Sequence, residues 1–430
     1  MFTTLIIFII VLGVLVFVHE MGHFVSARIF GIGVEEFGFG FPPKIAGYKK
    51  GETLYSLNLI PLGGFVKIKG ENGRFPFTEV IADYQNRIDN KSKLEDKQLK
   101  KEVLYLSRIF PEFNESKLEN KSDKEQYQEL ISFLESQKEN KQEDAFFNKK
   151  IWQRFIVLFA GVFMNILFCA FLLSFGYMIG LPGSIEDAPK NATIDSPVLS
   201  VLQIEEGAPA FDAGIEAGDT ILKIDNQELT SVQQLRDYNT NKENQEIILL
   251  IDQYGIQKEV KITPKILASG NVGIGAYLTE TGTITLPWYQ AFITGFKQTG
   301  IIIYLIFQAL FNIIKDAVTS GEVAETVSGP VGIAVLAGRA AKLGFVYILQ
   351  FTALISLNLA IFNLLPIPAL DGGRIIFLLI EKIRRKPVNQ KIENIVHTIG
   401  FASLIGLLML VTFRDISKFN VLGYLKDFFL

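Results

Sequence analysis

The sequence lacks the chemistry that disulfide-rich domains and thiolate metal centres use. Its 430 residues include one cysteine, Cys169, which excludes an internal disulfide and a zinc cage built from thiolates. Because Cys169 lies inside an apolar run, we expect it to be a packing residue. An excess of one charge is also missing, since 42 basic and 45 acidic residues give a net charge of −3. That balance gives no basis for a nucleic-acid partner.

Apolar residues, in contrast, are abundant. They make up 49% of the chain, phenylalanine alone occurs 36 times, and the mean hydropathy is +0.29. Ordinary soluble enzymes are less apolar, so much of this chain is predicted to lie in lipid. The basic residues form short clusters next to the apolar runs, a pattern that sets membrane topology.

The first apolar run carries the strongest functional signal. Residues 5–18 are uncharged, and His19, Glu20 and His23 follow within one predicted helix, residues 2–30. Residues four apart share a helix face, so the two imidazoles converge on one metal ion. This is the H-E-x-x-H pattern of zinc sites, with chance occurrence as the alternative. Polar groups at membrane depth are costly and persist where they face a protein interior and do chemistry.

The connection after this helix has two parts. Residues 53–69 carry apolar residues on both sides of a turn at residues 61–64, which predicts a hairpin of two short strands. That hairpin could receive an extended substrate by strand addition, or it could pack under the helix, and both interpretations stay open. Residues 72–148 are dense in charged and amide side chains, which predicts a soluble, partly helical insert.

Three further segments are predicted to span the membrane: residues 155–181, 345–370 and 395–413. Asn165, in the middle of the second span, is expected to make an interhelical hydrogen bond. Within residues 292–314, the 17 uncharged residues 298–314 are at the lower length limit for a span. They are predicted to form an interfacial or re-entrant helix, because an additional span would reverse the side from which the chain approaches Asp371.

Asp371 is the predicted third zinc ligand. It directly follows the third span, where Pro366 and Pro368 unwind the helix and free a carboxylate to point sideways at a metal. One alternative is a solvated or capping carboxylate at the membrane boundary. Another is a site of three histidines completed by His397, which is the weaker candidate because its span has no flanking break.

Basic clusters predict the orientation. They lie in the connection between the first two spans and at residues 382–391, so the positive-inside rule places both in the cytoplasm and the amino terminus outside. Residues 183–264 are polar and rich in strand-forming residues, and this module is expected on the outer face, where it binds peptide ends or acts as a sieve. Its predicted elements are strands at 198–204, 220–224 and 247–251 and a helix at 232–238.

Several motifs together resemble one family. The H-E-M-G-H of residues 19–23, residues 57–67 and the run N-L-A-I-F-N-L-L-P-I-P-A-L-D-G-G-R at 358–374 are similar to those of bacterial site-two-type intramembrane zinc metalloproteases, in the regulator of sigma-E protease family. Residues 207–219 resemble the PDZ domain of that family, and residues 328–334 match a further family stretch. The resemblance covers most of the chain outside the insert.

The resemblance implies a role for each candidate residue. His19, His23 and Asp371 are the expected ligands of one Zn²⁺ ion, Glu20 the catalytic base, and Asn363 a substrate contact. The implied activity is cleavage of transmembrane segments, such as those of anti-sigma factors or remnant signal peptides, with the strands near residues 53–69 engaging the substrate.

The implied location is the bacterial cytoplasmic membrane, with the PDZ-like domain outside. Expected partners are transmembrane protein substrates, the lipid bilayer and a peptide or protein ligand of the PDZ-like domain, with no nucleic acid. Two other functions compete with the protease: a catalytically idle PDZ receptor, in which Glu20 is dispensable, and a metal transporter that binds its cargo at the same three ligands. The intact H-E-x-x-H together with Asp371 favours the protease.

The expected fold is a polytopic α-helical membrane protein with about four transmembrane helices, a membrane-associated β-hairpin on the cytoplasmic side and an extracytoplasmic PDZ (α+β) domain. The predicted division is a first span with the zinc motif at 1–30, the hairpin region at 31–71, the insert at 72–150, the second span at 151–182, the PDZ-like domain at 183–285, interfacial helices at 286–344, the third span at 345–380, and a basic loop, fourth span and tail at 381–430.

Overall fold

The computed structural model describes residues 2–71, 80–81, 84–85, 123–139, 144–205, 207–229, 231–253, 255–267, 270–319, 329–386 and 388–418. Its α-helices are α1 (Phe2–Ile29), α2 (Asp123–Glu139), α3 (Ile151–Ile179), α4 (Pro209–Asp212), α5 (Val232–Asn241), α6 (Trp288–Thr319), α7 (Pro330–Leu343), α8 (Phe345–Leu364), α9 (Asp371–Arg384) and α10 (Gln390–Lys418). Its strands are β1 (Val34–Lys50), β2 (Thr53–Ile68), β3 (Leu181–Ser184), β4 (Thr193–Ile204), β5 (Thr220–Ile224), β6 (Gln227–Glu228), β7 (Ile247–Gln253), β8 (Ile256–Ile262), β9 (Lys265–Ile266), β10 (Val272–Gly273) and β11 (Ala276–Thr285).

Five helices in the described part of the chain are long and apolar enough to cross a membrane: α1, α3, α6, α8 and α10. Four of them, α1, α3, α8 and α10, coincide with the predicted spans. The fifth, α6, covers the segment predicted to be interfacial and is 32 residues long. The chain is therefore a protein with several membrane-type helices, and the count of four spans stays a prediction.

Helix α3 lies at the centre of the helical part and packs against α1, α6 and α8. Two of these crossings are so close that only glycine fits. A Cβ at Gly22 of α1 would lie 2.4 Å from the carbonyl oxygen of Ala160, and one at Gly295 of α6 would lie 2.2 Å from Ser174 Oγ. Small residues allow such backbone approach between apolar helices, where packing rather than water exclusion drives association.

The sheet after α1 differs from the predicted hairpin. β1 and β2 pair with each other, and Phe37 lies opposite both Tyr55 and Val66. The two halves of β2 therefore flank the first half of β1 and are not paired across the turn at residues 61–64. The prediction of a self-paired hairpin was wrong, because it assigned no strand to residues 34–41, which insert between the two halves of β2.

Residues 181–285 form a module around one sheet. The strand order is β3-β11-β4-β5-β7-β8, with β6 paired to β5. Ile247, Leu249 and Ile251 of β7 are buried, and Leu235 of α5 packs into the same core. The Ser231 hydroxyl accepts the Gln234 N–H and so caps the start of α5. The three predicted strands and the predicted helix are confirmed as β4, β5, β7 and α5.

A carboxylate braces one turn of this module. Asp225, which follows β5, accepts hydrogen bonds from the Ile248 N–H at 2.8 Å and from the Tyr238 hydroxyl at 2.7 Å. Both hydrogen bonds favour the charged carboxylate, the one from the Ile248 N–H more strongly, so they lower the pKa of Asp225 below its usual value.

The module joins the membrane-type helices without a flexible linker. β3 begins two residues after α3 ends and pairs with β11, which leads into α6. The Leu286 N–H donates to the Tyr177 carbonyl at 2.8 Å, and both residues belong to an apolar cluster that α3, α6 and α8 share. The position of the module is therefore fixed relative to the carboxyl end of α3.

Part of the insert is described. Helix α2 buries Tyr127, Leu130 and Leu134, and the ring of Tyr84 lies 5.2 Å from that of Tyr127. The predicted helical content of the insert is confirmed by α2, and residues 72–79, 82–83, 86–122 and 140–143 lie outside the described residues.

Candidate active site

Three of the predicted ligands meet at one point. His19 and His23 lie one turn apart on α1, and Asp371 is the first residue of α9. The Nε2 atoms of the two histidines are 3.2 Å apart, and Asp371 Oδ2 lies 3.0 Å from His19 Nε2 and 3.3 Å from His23 Nε2. These three atoms form a nearly equilateral triangle, and both histidines are buried.

This triangle fits a zinc ion. Ligands about 2.0–2.1 Å from a tetrahedral ion lie roughly 3.3–3.4 Å from one another, close to the separations found here. Two imidazole nitrogens and one carboxylate oxygen are also a donor set that zinc accepts. Gly161 of α3 leaves the space beside the triangle open, because a Cβ there would lie 2.4 Å from His23 Nε2 and 2.8 Å from His19 Nε2.

The loop between α8 and α9 turns Asp371 towards the histidines. α8 ends at Leu364, and the loop includes Ala369 with a positive φ of 77°, a strained conformation for a residue with a Cβ. A Cβ at Gly372 would lie 2.1 Å from the carbonyl oxygen of Leu365, so only glycine lets α9 start this close to the loop. The break after the third predicted span is confirmed, and it delivers the carboxylate.

His397 supports that loop and is not part of the triangle. Its Nδ1 accepts the Ala369 N–H at 2.8 Å. This bond holds the strained residue two positions before Asp371. The alternative of a three-histidine site is therefore not the arrangement that the structure shows.

Glu20 lies next to the triangle without belonging to it. Its carboxylate is close enough to His23, His19 and Asp371 to interact with their charges, and it lies near the Val66 backbone. A Cβ at Gly64 would lie 3.4 Å from Glu20 Cγ, so this end of β2 runs directly beside the carboxylate. A carboxylate that is close to a metal site but does not bind the ion is available to move protons.

Asn363 also lies at the site. It is near the carboxyl end of α8, and its Nδ2 is 3.4 Å from His19 Nε2. The structure thus brings all five residues singled out from the sequence to one place, on three different helices.

Residues of α3 complete the site, and sequence reasoning assigned none of them a role in it. The Val157 carbonyl accepts the His23 Nδ1–H at 2.8 Å, and the Asn165 amide lies 3.3 Å from His19 Nδ1. Val157, Gly161 and Asn165 are spaced four residues apart and share one face of α3. The sequence feature that could have indicated this role is a glycine four residues before an asparagine, Gly161 and Asn165, within an uncharged span. The expected interhelical bond of Asn165 is confirmed, with a histidine as its partner.

Two ion pairs fix the elements around the site. Arg374, in the first turn of α9, donates to Glu71 just after β2, and Arg154 of α3 donates to Glu381 near the end of α9. The first pair ties the sheet to the helix that carries Asp371, and the second ties that helix to α3. Such partly buried pairs fix orientation even where their net energy is small.

The fold and the site define a class: a membrane protein with a metal-binding triad and an adjacent free carboxylate, the equipment of a metallopeptidase. Comparison with known proteins identifies the family. Residues 7–407 match the family model described as peptidase family M50, so the chain belongs to peptidase family M50 and is a metalloprotease.

Curated relatives match the chain along almost its whole length. Zinc metalloprotease RasP of Bacillus licheniformis is 34% identical over 445 residues, which cover 96% of this chain and 99% of the relative. Regulator of sigma-W protease RasP of Bacillus subtilis is 33% identical, with 96% and 98% covered. Among solved structures, the PDZ domain of an SdrC-like protein from Listeria innocua aligns with 19% of this chain and 92% of its own at 32% identity, with a TM-score of 0.17.

Proposed function

We propose that this metalloprotease uses zinc to cleave peptide bonds within the transmembrane segments of other membrane proteins. The observation that carries the proposal is the triangle of His19, His23 and Asp371, with an open space at Gly161 and a free carboxylate at Glu20. All of these groups lie on or beside membrane-type helices. Charged and metal-binding groups at that depth are retained for function.

The residues divide the chemistry between them. When bound, a zinc ion supplies Lewis-acid chemistry, which polarises a carbonyl oxygen and acidifies water. The Glu20 carboxylate takes a proton from the attacking water and passes it to the nitrogen of the breaking C–N bond, so that an acid and an amine are released. Asn363, beside His19, is placed to orient the substrate carbonyl with its amide.

Strand addition would present the substrate. A transmembrane helix hides its peptide bonds, so the target segment must first be extended. The end of β2 from Gly64 to Ile68 pairs with β1 and runs beside Glu20. We propose that an extended substrate segment lies along this end of β2, where backbone hydrogen bonds hold it and the carboxylate can reach it.

Orientation follows from the basic residues. Lys149, Lys150 and Arg154 lie at the amino end of α3, and the β module follows its carboxyl end. The positive-inside rule then places the amino end of α3 in the cytoplasm of a bacterial cell and the module outside. We propose four membrane crossings, with α6 associated with the membrane without adding a fifth.

The module is proposed to be a PDZ domain that selects substrates. Its seven-stranded sheet with a short helix packed on it suits the binding of a peptide or protein ligand beside a strand. Its rigid attachment to α3 lets it act as a sieve above the site. The Bacillus subtilis relative is named as a regulator of sigma-W, so we propose membrane-anchored anti-sigma factors, and also remnant signal peptides, as substrates.

Replacing Glu20 with glutamine tests the enzyme. The purified full chain in detergent should carry about one zinc per molecule, and Glu20→Gln should keep that zinc while cleavage of a model transmembrane substrate falls by roughly 10²–10⁴. Asp371→Ala should lose the zinc. Glu246→Gln is the matched control, because this exposed carboxylate of the module pairs with Lys261 at the protein surface. Cleavage by Glu20→Gln at the wild-type rate would refute the mechanism.

A further inference from the structure

The side chain of Asn165 is an unusual group for its position. It is fully buried in the middle of α3, a membrane-type helix. Its backbone carbonyl accepts the Ser356 hydroxyl at 2.9 Å, which links α3 to α8. The nitrogen of its side-chain amide, Nδ2, faces His19 Nδ1, and the oxygen, Oδ1, has no hydrogen-bond partner among the described residues. A buried amide oxygen without a partner is rare and calls for an explanation.

The tautomer of His19 decides which end of this amide faces the imidazole. A neutral imidazole has one N–H and one lone pair, so a proton on Nε2 would block the nitrogen that faces Asp371 and His23. In the structure Asn165 Nδ2 faces His19 Nδ1. Because Nδ2 is a donor, Nδ1 would have to accept, and the proton of His19 would then be on Nε2, the blocked tautomer. The oxygen and nitrogen of an amide are assigned from their hydrogen bonds, and exchanging them puts Oδ1 opposite the Nδ1–H. Only this orientation leaves Nε2 free to bind a metal.

The second histidine shows the same arrangement. His23 Nδ1–H donates to the Val157 carbonyl at 2.8 Å, which leaves its Nε2 free. Val157 and Asn165 are eight residues apart on one face of α3, with Gly161 between them. One helix therefore supplies an acceptor for each imidazole and the open space for the ion.

We propose that Asn165 is a positioning residue of the metal site: its amide oxygen accepts the Nδ1–H of His19 and fixes the ring and tautomer that present Nε2. The proposal rests on the proposed zinc function. A neutral amide performs this task without adding another negative charge at membrane depth, where charge is costly. Groups that hold metal-binding histidines in this way contribute about 10–100-fold to metal affinity.

Metal affinity, measured without turnover, tests the proposal. The full chain in detergent is titrated with zinc against a chelator, and its cobalt-substituted form is followed by visible absorption, which reports ligand geometry. Asn165→Leu keeps the size and removes the acceptor, so zinc affinity should fall 10–100-fold and the cobalt spectrum should change. Asn165→Asp restores an acceptor and should recover affinity to within a few-fold of wild type.

Ser356→Ala is the matched control. It removes the other side-chain hydrogen bond to Asn165, on its backbone carbonyl, without touching the imidazole. Its zinc affinity should stay within about twofold of wild type on this reasoning. Equal loss in Ser356→Ala and Asn165→Leu would assign Asn165 to helix packing and overturn the proposal, as would wild-type affinity in Asn165→Leu. Absence of zinc binding by the wild-type chain would instead refute the proposed function itself.

Discussion

Gly161 offers the most direct test of where the metal lies. In Gly161→Ala the added Cβ would lie 2.4 Å from His23 Nε2 and 2.8 Å from His19 Nε2. Unbonded carbon and nitrogen atoms need about 3.5 Å, so the imidazoles would have to retreat by about 1 Å. The His23 ring has no room to retreat, because its Nδ1–H is bonded to the Val157 carbonyl. The two helices have no room to adjust either, because Gly22 of α1 already contacts Ala160 of α3.

The size of the effect follows from the tolerance of a zinc site. Metal–ligand distances are acceptable only within about 0.2 Å of their usual values, so a 1 Å displacement is about five times too large. The methyl group would also occupy the space left for the ion. We expect zinc affinity to fall by at least about 100-fold, with a further cost of about 1–3 kcal/mol in the free energy of unfolding from overpacking.

The assay compares two glycine-to-alanine variants. Gly300→Ala in α6 makes the same chemical change where, among the described residues, the added Cβ would meet no atom within 4 Å outside its own stretch of helix. Both full-length proteins are purified in detergent, exposed to the same zinc concentration, freed of loose metal and analysed for bound zinc and substrate cleavage. Gly300→Ala should match the wild type and Gly161→Ala should lack both. Normal zinc content in Gly161→Ala would show that the ion does not lie between α1 and α3.

Two further predictions concern orientation and acid response. In a Cys169→Ala background, cysteines at Lys50 and Lys386 should be shielded from an impermeant thiol reagent in intact cells, whereas one at Asn226 should react; labelling of all three would contradict the topology. The lowered pKa of Asp225 stabilises the module fully above the unfolded-state pKa of about 3.9, and this stabilisation is lost as pH falls through the folded-state value. Hydrogen exchange of the module within the full chain should show this acid loss in the wild type and not in Asp225→Asn. An identical acid response in both proteins would exclude Asp225 as its source.

Local patterns predicted the parts of the fold that depend on neighbouring residues. The four-residue spacing of His19 and His23, the uncharged runs and the prolines before Asp371 each act through geometry within one helix or its end. The pairing of β1 was not predictable in this way. Residues 37–41 alternate phenylalanine and glycine without indicating a partner strand, and their place between the two halves of β2 depends on contacts made only after folding.

The contribution of α3 shows why the motif alone underdetermines the site. H-E-x-x-H places two imidazoles on one face of α1, but each ring also carries an N–H that needs an acceptor. In apolar surroundings water does not supply acceptors freely, so the protein must provide them. Gly22 and Gly161 bring α1 and α3 close enough for Val157 and Asn165 to do so. Helix packing and metal binding are therefore coupled, and a change that only separates the two helices should weaken zinc binding even when every ligand is intact.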